Sequence, residues 1–478
     1  MSTATLAAES VVELPAHEAF ALFGRGEAGT WLFGARCDSV TLGAPVRILL
    51  PLEDQGGQLP VELLGRLSMV RPGRRIVIDH AQPWQGRIGL SFESAGPGRT
   101  RVRARADVSE AGVMWLIRQR GIMLPLPEAG ADVLRIGMLT SKSGPAVIYA
   151  MATEYLAQMA VDEVNEEGGV HGRRLELVVA DDETDPGTAA VEARRLRRAG
   201  CHVVFACTTS RSFTAVDAAV GRDLLAVHAV MNERGGGVHD SVVQLGEHPG
   251  SQISAVAGRL MAATGTKSWF LVGEQYSWSY AAHAAARIAV PHAGGRILGE
   301  SYTAVGTTDF SAVIEQIERS GADVVMSSLI GADEVEFERQ CADAGLRTRT
   351  RAFSLAMDES TCEHIGAESA EGIWTAMAYH QDIPADGNAE LLERYRARLG
   401  RWAPPISTTS ETVYEAILQY AGAVRRHGDG VVPLRSDDLM AYLRKACDGG
   451  VGRRNLVTPR LYLAQVSPRG VQVMDQAR

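Results

Sequence analysis

The stretch NEEGGVHGRRLELVVADDETDP, Asn165 to Pro186, decides the fold. It joins the end of a helix to a short apolar strand that runs directly into acids. The pair Gly168 and Gly169 allows the positive φ at which helices stop, so the pattern predicts a tight helix-to-strand junction. Upstream, VIYAMATEYLAQMAVDEVNEEGG sets Ala152, Leu156, Met159 and Val164 along one helical face, and VLRIGMLTS before it is an apolar strand ending in hydroxyls. Downstream the alternation repeats: helix GTAAVEARRLRRAG, strand HVVFACTTS, helix FTAVDAAVGRD, strand LLAVHAV, then SWFLVGEQ and ADVVMSSLIG with helices between. Repeated β-α-β units with fully apolar strands predict an α/β fold, parallel sheet covered by helices on both faces. About nine or ten such strands divide more comfortably into two lobes than one.

Residues 12 to 120 read differently. LPAHEAFALF places Ala16, Phe20 and Phe23 near one helical face. VTLGAPVRILLPL, LPVELLGRLSMV, RRIVIDH, GRIGLSFESAG and RTRVRARADV are strand-like runs cut by glycine and proline, and AGVMWLIRQRG closes the segment as a helix. The result is an α+β unit. Arg99, Arg101, Arg103 and Arg105 alternate with Thr100, Val102 and Ala104, which puts every guanidinium on one sheet face. A solvated face is favoured there over an anion or nucleic-acid site. GIMLPLPEAGADV, Gly121 to Val133, breaks periodicity as a linker does. The expected division is an α+β domain over 1–120, a linker over 121–131 and a bilobed domain over 132–478. Lobe one covers about 132–247 with segments returning after about 375; lobe two covers about 249–374 plus part of the C-terminal region.

The chain has 478 residues, 46% hydrophobic and 22% charged, and no apolar run near the roughly 20 residues of a membrane span. A formal charge of -9 argues against a general nucleic-acid binder. Lysine occurs only at Lys142, Lys267 and Lys445, a bias that carries no functional reading. The six cysteines, Cys37, Cys201, Cys207, Cys341, Cys362 and Cys447, show no metal-ligand spacing and read as buried small hydrophobes. The first twenty residues hold Glu9, Glu13 and Glu18 and no lysine or arginine, unlike a secretory leader. The expected address is therefore cytoplasmic, with the periplasm or exterior reserved for a chain whose leader is missing. No cofactor and no metal are expected.

In open parallel sheets ligands bind beyond the carboxyl ends of the strands, where helix N-termini point. That rule selects TSKSG with Ser143, TTS with Thr208, Thr209 and Ser210, HAVMN with His228, GEQYSW with Glu274, Tyr276 and Trp278, and IGADE with Asp333 and Glu334. Each has a plainer alternative. One hydroxyl of the TTS run serves as a helix cap, the aromatic pair fits core packing as well as ligand stacking, and the acids fit solvated caps as well as acceptors for a ligand ammonium or amide. His228 reads as a packing group more readily than as a base. No HExxH, GxSxG or P-loop is present. GRGEAG, Gly24 to Gly29, matches GxGxxG by letter but follows a helix, so pyrophosphate geometry is missing.

Two resemblances add to this reading. HEAFALF, LGAPVRILLP, GRLSMVRPGRRIVIDH and GPGRTRVRARADV together resemble the helix-grip, START-like superfamily. That likeness implies a curved sheet around a C-terminal helix, with a cavity for an apolar ligand. From Asp132 to about Gln465 the order and spacing of RIGMLTSKSGP, AVDEVNEEGGVHGRRLELVVADDETDP, VVFACTTSRSFTAV, FLVGEQYSWSY, GRILGESYTAVGTTDFSAVIEQ and EGIWTAMAYH resemble the type I periplasmic-binding-protein family. Within it GTTDFSAVI and CTTSRSFTAV are most like the branch that binds urea, short amides and branched-chain amino acids. The likeness implies two parallel-sheet lobes, a hydroxyl for the ligand's polar head at Ser210, and an aromatic pair at Tyr276 and Trp278. Thr208 falls where amide binders often have a tyrosine. LLAVHAVMNERGG departs from the family, whose urea and amide binders usually have Tyr-Pro near Val227 and His228.

The expected function is hinge closure of two lobes on a small polar ligand, with no bond made or broken. A cytoplasmic sensor, dimeric by family likeness and passing its signal to a regulatory protein, fits the apparent lack of a leader. The alternatives are the substrate-binding component of an ABC-type importer, with a permease as partner, and an enzyme using Asp79 and His80 of the N-terminal domain.

Overall fold

The computed structural model describes residues 4–23, 35–37, 39–54, 57–119, 129–233, 241–400, 403–427, 434–445 and 460–476. The chain forms two compact units, Met1–Pro125 and Leu126–Arg478. The GRGEAG segment lies outside the described residues, as do Cys447 and most of the predicted linker.

The first unit is one antiparallel sheet. Its strands are β1 (Ala4–Val12), β2 (Pro45–Asp54), β3 (Gly57–Arg71), β4 (Arg75–Gln82), β5 (Gly86–Gly96) and β6 (Arg99–Val108), in the order β1-β6-β5-β4-β3-β2. Helix Ala16–Ala21 follows β1, and helix Glu110–Gln119 follows β6. One face is apolar: Ile48, Leu63, Ile76, Ile78, Leu90 and Val102 form a core joined by Val113, Trp115 and Leu116 of the last helix. Strand β1 is absent from the sequence reading, because ATLAAESVV is an exposed edge with no buried alternation to betray it. It explains the arginine row. Arg101 and Arg103 pair with Glu9, Arg103 also reaches Glu93 of β5, and Arg99 meets Glu13, so the row is a solvated ladder of cross-strand ion pairs.

The second unit carries two sheets. The first holds β7 (Val133–Thr140), β8 (Arg174–Asp181), β9 (Val203–Cys207), β10 (Leu225–Ala229) and β11 (Val242–Leu245), all parallel, in the order β11-β10-β9-β7-β8. The second holds β12 (Ser268–Glu274), β13 (Arg296–Thr303), β14 (Val324–Ser328), β15 (Arg351–Ser354), β16 (Trp374–Met377), β17 (Tyr462–Ser467) and β18 (Gly470–Gln476). Its order is β13-β12-β14-β15-β16-β17-β18, and neighbours are parallel except that β17 runs antiparallel to both β16 and β18. This is the two-lobed α/β architecture with parallel sheets expected from the strand pattern. Helices Asn388–Leu399, Thr408–His427 and Ser436–Lys445 return to the first lobe, where Leu391, Tyr395, Val413, Ile417, Tyr420 and Leu439 share a core with β7, β9 and β10. The chain thus passes between lobes three times: after Leu245, after Met377 and before Tyr462.

The junction that opened the sequence reading forms as expected. Helix Ala150–Glu166 stops at Gly168 and Gly169, whose φ values are 94° and 74°. Asn165 then clamps the turn, its amide Nδ2 donating to the Leu175 carbonyl at 3.0 Å and its Oδ1 accepting the Leu175 N–H at 2.8 Å. Replacing Asn165 with alanine leaves both backbone groups unpaired and should cost about 1–3 kcal/mol, measurable by chemical denaturation.

Candidate functional site

The acids that end the opening stretch shape the rim of the first lobe. Asp181, at the end of β8, accepts the backbone N–H groups of Lys142 (2.9 Å) and Ser143 (3.2 Å) and the Ser143 hydroxyl (2.8 Å). Ser143 is therefore committed to holding its own loop, not aimed at a ligand. Asp182 accepts the Ser141 hydroxyl at 2.6 Å, and burial raises its carboxyl to about 6. Asp185 caps helix Pro186–Arg198 through the Thr188 N–H at 2.8 Å. With the 141–149 loop fixed in this way, Thr140, Ala146 and Tyr149 face the gap between lobes.

That gap is a cleft lined from both lobes. The first lobe also supplies Cys207, Thr208, Thr209 and Ser210 from the end of β9, Val230 and Met231 from the end of β10, and Thr409. The second supplies Tyr276 and Trp278, after β12, and Ile330, after β14. Apart from Thr409, these positions follow from the fold: they lie just past the carboxyl ends of parallel strands. Thr209 is the N-cap of helix Ser210–Val220, accepting the Ser212 N–H at 3.2 Å, which leaves Thr208 and Ser210 beside it as wall hydroxyls. The rings of Tyr276 and Trp278 lie 6.3 Å apart and 28° from parallel. Both are buried, and the Trp278 indole N–H has no partner among the described residues. A buried donor on a cavity wall is free to serve an acceptor on a ligand.

The lobes also touch directly. The 144–149 loop of the first lobe caps helix Gly331–Asp343 of the second: the Pro145 carbonyl accepts the Ala332 N–H at 2.8 Å, and the Tyr149 hydroxyl accepts the Gly331 N–H at 3.1 Å. Two of the four N-terminal N–H groups that a helix leaves unpaired are satisfied from the opposite lobe. The Tyr149 hydroxyl in turn donates to Thr361 Oγ1 at 3.1 Å, since the Thr361 proton goes to the Ala356 carbonyl. Gly331 has φ 58°, and a Cβ there would run into the Pro145 carbonyl oxygen.

Of the ten site residues picked from sequence, Thr208, Thr209, Ser210, Tyr276 and Trp278 line the cleft, and five do not. Besides Ser143, these are His228, Glu274, Asp333 and Glu334, the last accepting the Ser327 hydroxyl at 2.8 Å. His228 lies on β10, its ring stacked on Phe213 at 4.1 Å and its Nε2 donating to the Thr208 carbonyl at 3.0 Å. Burial pushes its pKa down to about 4, so it is a neutral support for the Thr208 turn. Glu274 accepts the Ile330 N–H at 3.2 Å; Asp333 accepts those of Gly306 (2.8 Å) and Thr307 (3.1 Å). Both acids knit the second lobe together, because loops packed at strand ends leave backbone N–H groups to satisfy. Tyr149 and Thr409 escaped the sequence reading: one is in a short helical turn, the other far downstream in ISTTSE, and neither position follows a strand.

In the N-terminal unit Asp79 and His80 cannot act as an acid–base pair. They are neighbours on β4, so their side chains point to opposite faces. Asp79 pairs outward with Arg87, while buried His80 is pushed down to about 4.

Two facing α/β lobes with a cleft between them, walled by hydroxyls and by apolar and aromatic side chains, define a clamp for a small molecule. Residues 133–452 match the family described as periplasmic binding protein, and the chain belongs to that family. A leucine-, isoleucine-, valine-, threonine- and alanine-binding protein of Pseudomonas aeruginosa is 23% identical over 331 residues, covering 67% of this chain and 86% of that protein. A Leu/Ile/Val-binding protein homolog of Brucella abortus is 26% identical over 333 residues, covering 63% and 78%. Among solved structures, a periplasmic binding protein of Burkholderia mallei matches with TM-score 0.62 and 21% identity, over 73% of this chain and 95% of that one. A branched-chain amino acid transporter substrate binding protein of Streptococcus pneumoniae, in complex with isoleucine, matches with TM-score 0.61 and 19% identity, over 72% and 99%. These relatives are binding proteins, consistent with a chain that performs no chemistry on its ligand.

The family overturns the cytoplasmic address expected from the sequence, since it is one of periplasmic binding proteins. The physical reason for the misreading is that Glu9 belongs to β1, paired with β6, and Glu18 to helix Ala16–Ala21, so the composition of this segment reports on a folded unit.

Proposed function

We propose that the protein is the substrate-binding component of an ABC-type importer, taking a small polar molecule such as an amino acid or amide into the interlobe cleft and presenting it to a permease. The observation that carries this reading is the cleft wall, with Thr208 and Ser210 on one lobe facing the buried Tyr276 and Trp278 of the other. Hydroxyls and an unpaired indole N–H hold a polar ligand, the aromatic faces cover its apolar part, and only the closed form makes both sets of contacts. The Leu/Ile/Val-binding relatives support the same class of ligand. A thermal-shift screen over amino acids, amides, urea and aromatic carboxylates tests it. A ligand at 100 times its dissociation constant should stabilise by about 2.7 kcal/mol. With the best compound, Trp278→Ala and Ser210→Ala should each weaken binding tenfold or more, about 1.4 kcal/mol, by titration calorimetry. A flat screen, or unchanged affinity in both variants, removes this reading.

For residues 1–120 we retain the helix-grip reading and the division from the ligand-binding part. Support comes from the antiparallel sheet, whose apolar face packs against residues of helix Glu110–Gln119. The family match begins at residue 133, which supports that division.

A further inference from the structure

The cleft carries a charge pattern that its fold does not require. Ser210 opens helix Ser210–Val220, whose N-terminal end has partial positive charge and unpaired N–H groups, an ordinary place for an anion. The protein fills that place itself. The Ser210 hydroxyl donates to the carboxylate of Glu233, which comes from the loop after β10. Glu233 is half-buried, and among the described residues it makes no ion pair.

Other ionisable groups on the cleft wall include the phenols of Tyr276 and Tyr149, and burial above all holds both high, so they stay neutral and bring no positive charge to the cleft. Two basic groups in the flanking segments are committed elsewhere. Lys142 pairs with Glu154 at 2.6 Å, and His228 is neutral in the core. Among the described residues that line the cleft there is no lysine, arginine, histidine or carboxylate, and Glu233 stands behind the wall, joined to it through the Ser210 hydroxyl. Opposite lies the near-parallel pair Tyr276 and Trp278, whose ring faces attract cations.

We propose that the ligand is a small organic amine bound as its ammonium ion, and that Glu233 is the specificity-determining residue, holding the charged nitrogen at Ser210 under the Tyr276–Trp278 wall. A carboxylate on the ligand, turned toward the same helix end, meets the Glu233 charge instead of an open anion site. An ammonium exchanges its water shell for a carboxylate, a hydroxyl and two ring faces. The proposal rests on the binding reading above and narrows it to a ligand class.

The test uses the full chain and two pairs of probes matched in shape and opposite in charge: 3-methylbutylamine against 3-methylbutanoate, and benzylamine against benzoate. In calorimetric titration at pH 7 the amine of at least one pair should bind tenfold or more tightly than its carboxylate. Glu233→Gln, which keeps the shape and an acceptor for Ser210 but removes the charge, should weaken the amine at least tenfold and narrow the preference. A carboxylate preference in the wild type overturns the proposal, as does a preference unchanged in Glu233→Gln. If neither pair binds while the thermal-shift screen finds another compound, the amine assignment fails alone. If the screen is flat as well, the binding reading fails with it. Should Glu233→Gln not fold, the wild-type preference still decides.

Discussion

Replacing Gly331 with alanine should hold the protein open. The new methyl group has no room beside the Pro145 carbonyl, and the residue's φ of 58° disfavours any side chain. Relief comes from parting the lobes, which breaks the Ala332 N–H to Pro145 and Gly331 N–H to Tyr149 bonds together. Two net hydrogen bonds at about 1 kcal/mol each, with strain of a similar size, remove about 3 kcal/mol from closure. That corresponds to roughly a hundredfold change in the closed-to-open ratio. Small-angle scattering should show a larger radius of gyration, and any ligand identified by screening should bind up to two orders of magnitude more weakly. Tyr149→Phe removes one of the two bonds and should lose about tenfold or less. An alanine variant with wild-type dimensions and affinity would falsify the role of this latch.

The second large effect concerns pH. Glu274 and Asp333 are neighbouring buried carboxyls. Burial, then the charge of Asp333, holds Glu274 well above the usual carboxylate range, while burial lifts Asp333 to about 6. Asp333 has two backbone N–H donors to support its charge, so Glu274 is the member that keeps the proton. Burial also lifts Glu334 and Asp358, each to about 7. Groups whose folded pKa is raised stabilise the fold fully below their unfolded values, near 4, and lose that contribution as pH rises through the folded values. Stability of the second unit should therefore fall between about pH 4 and pH 7, continuing above that through Glu274. Glu274→Gln mimics the protonated acid. At pH 8 it should raise stability by about 1–3 kcal/mol, the usual cost of a poorly satisfied buried polar group, and by little at pH 5. Melting curves across this range check both the slope and its flattening in the variant.

The parallel-sheet lobes were legible because their strands are apolar on both faces and bounded by glycines and caps. VVFAC and LAVHA are buried at every position, and no alternative structure accommodates such runs. Strand β1 and the hairpin of β17 and β18 were not, since edge strands such as GVQVMDQ keep most of their side chains in solvent and leave a weak pattern. At the site, the rule of strand ends found the TTS hydroxyls and the aromatic pair. It did not separate side chains that face the cleft from those that brace it. Ser143, Glu274 and Asp333 have the same chemistry as wall residues, but the nearest unpaired N–H groups belong to their own loops, and those partners are set by tertiary contacts. Glu233 stood unremarked in MNERGG because nothing local marks a carboxylate whose partner is Ser210, on another loop.

Three chain passages join the lobes, and Glu247 fastens two of them, accepting the Ala378 N–H at 2.7 Å and the Thr408 hydroxyl. Side-by-side straps bend together easily but oppose sliding and twist, so the halves are left with a single swinging motion. A swing of that kind widens the cleft on the side away from the straps and leaves the strapped side shut.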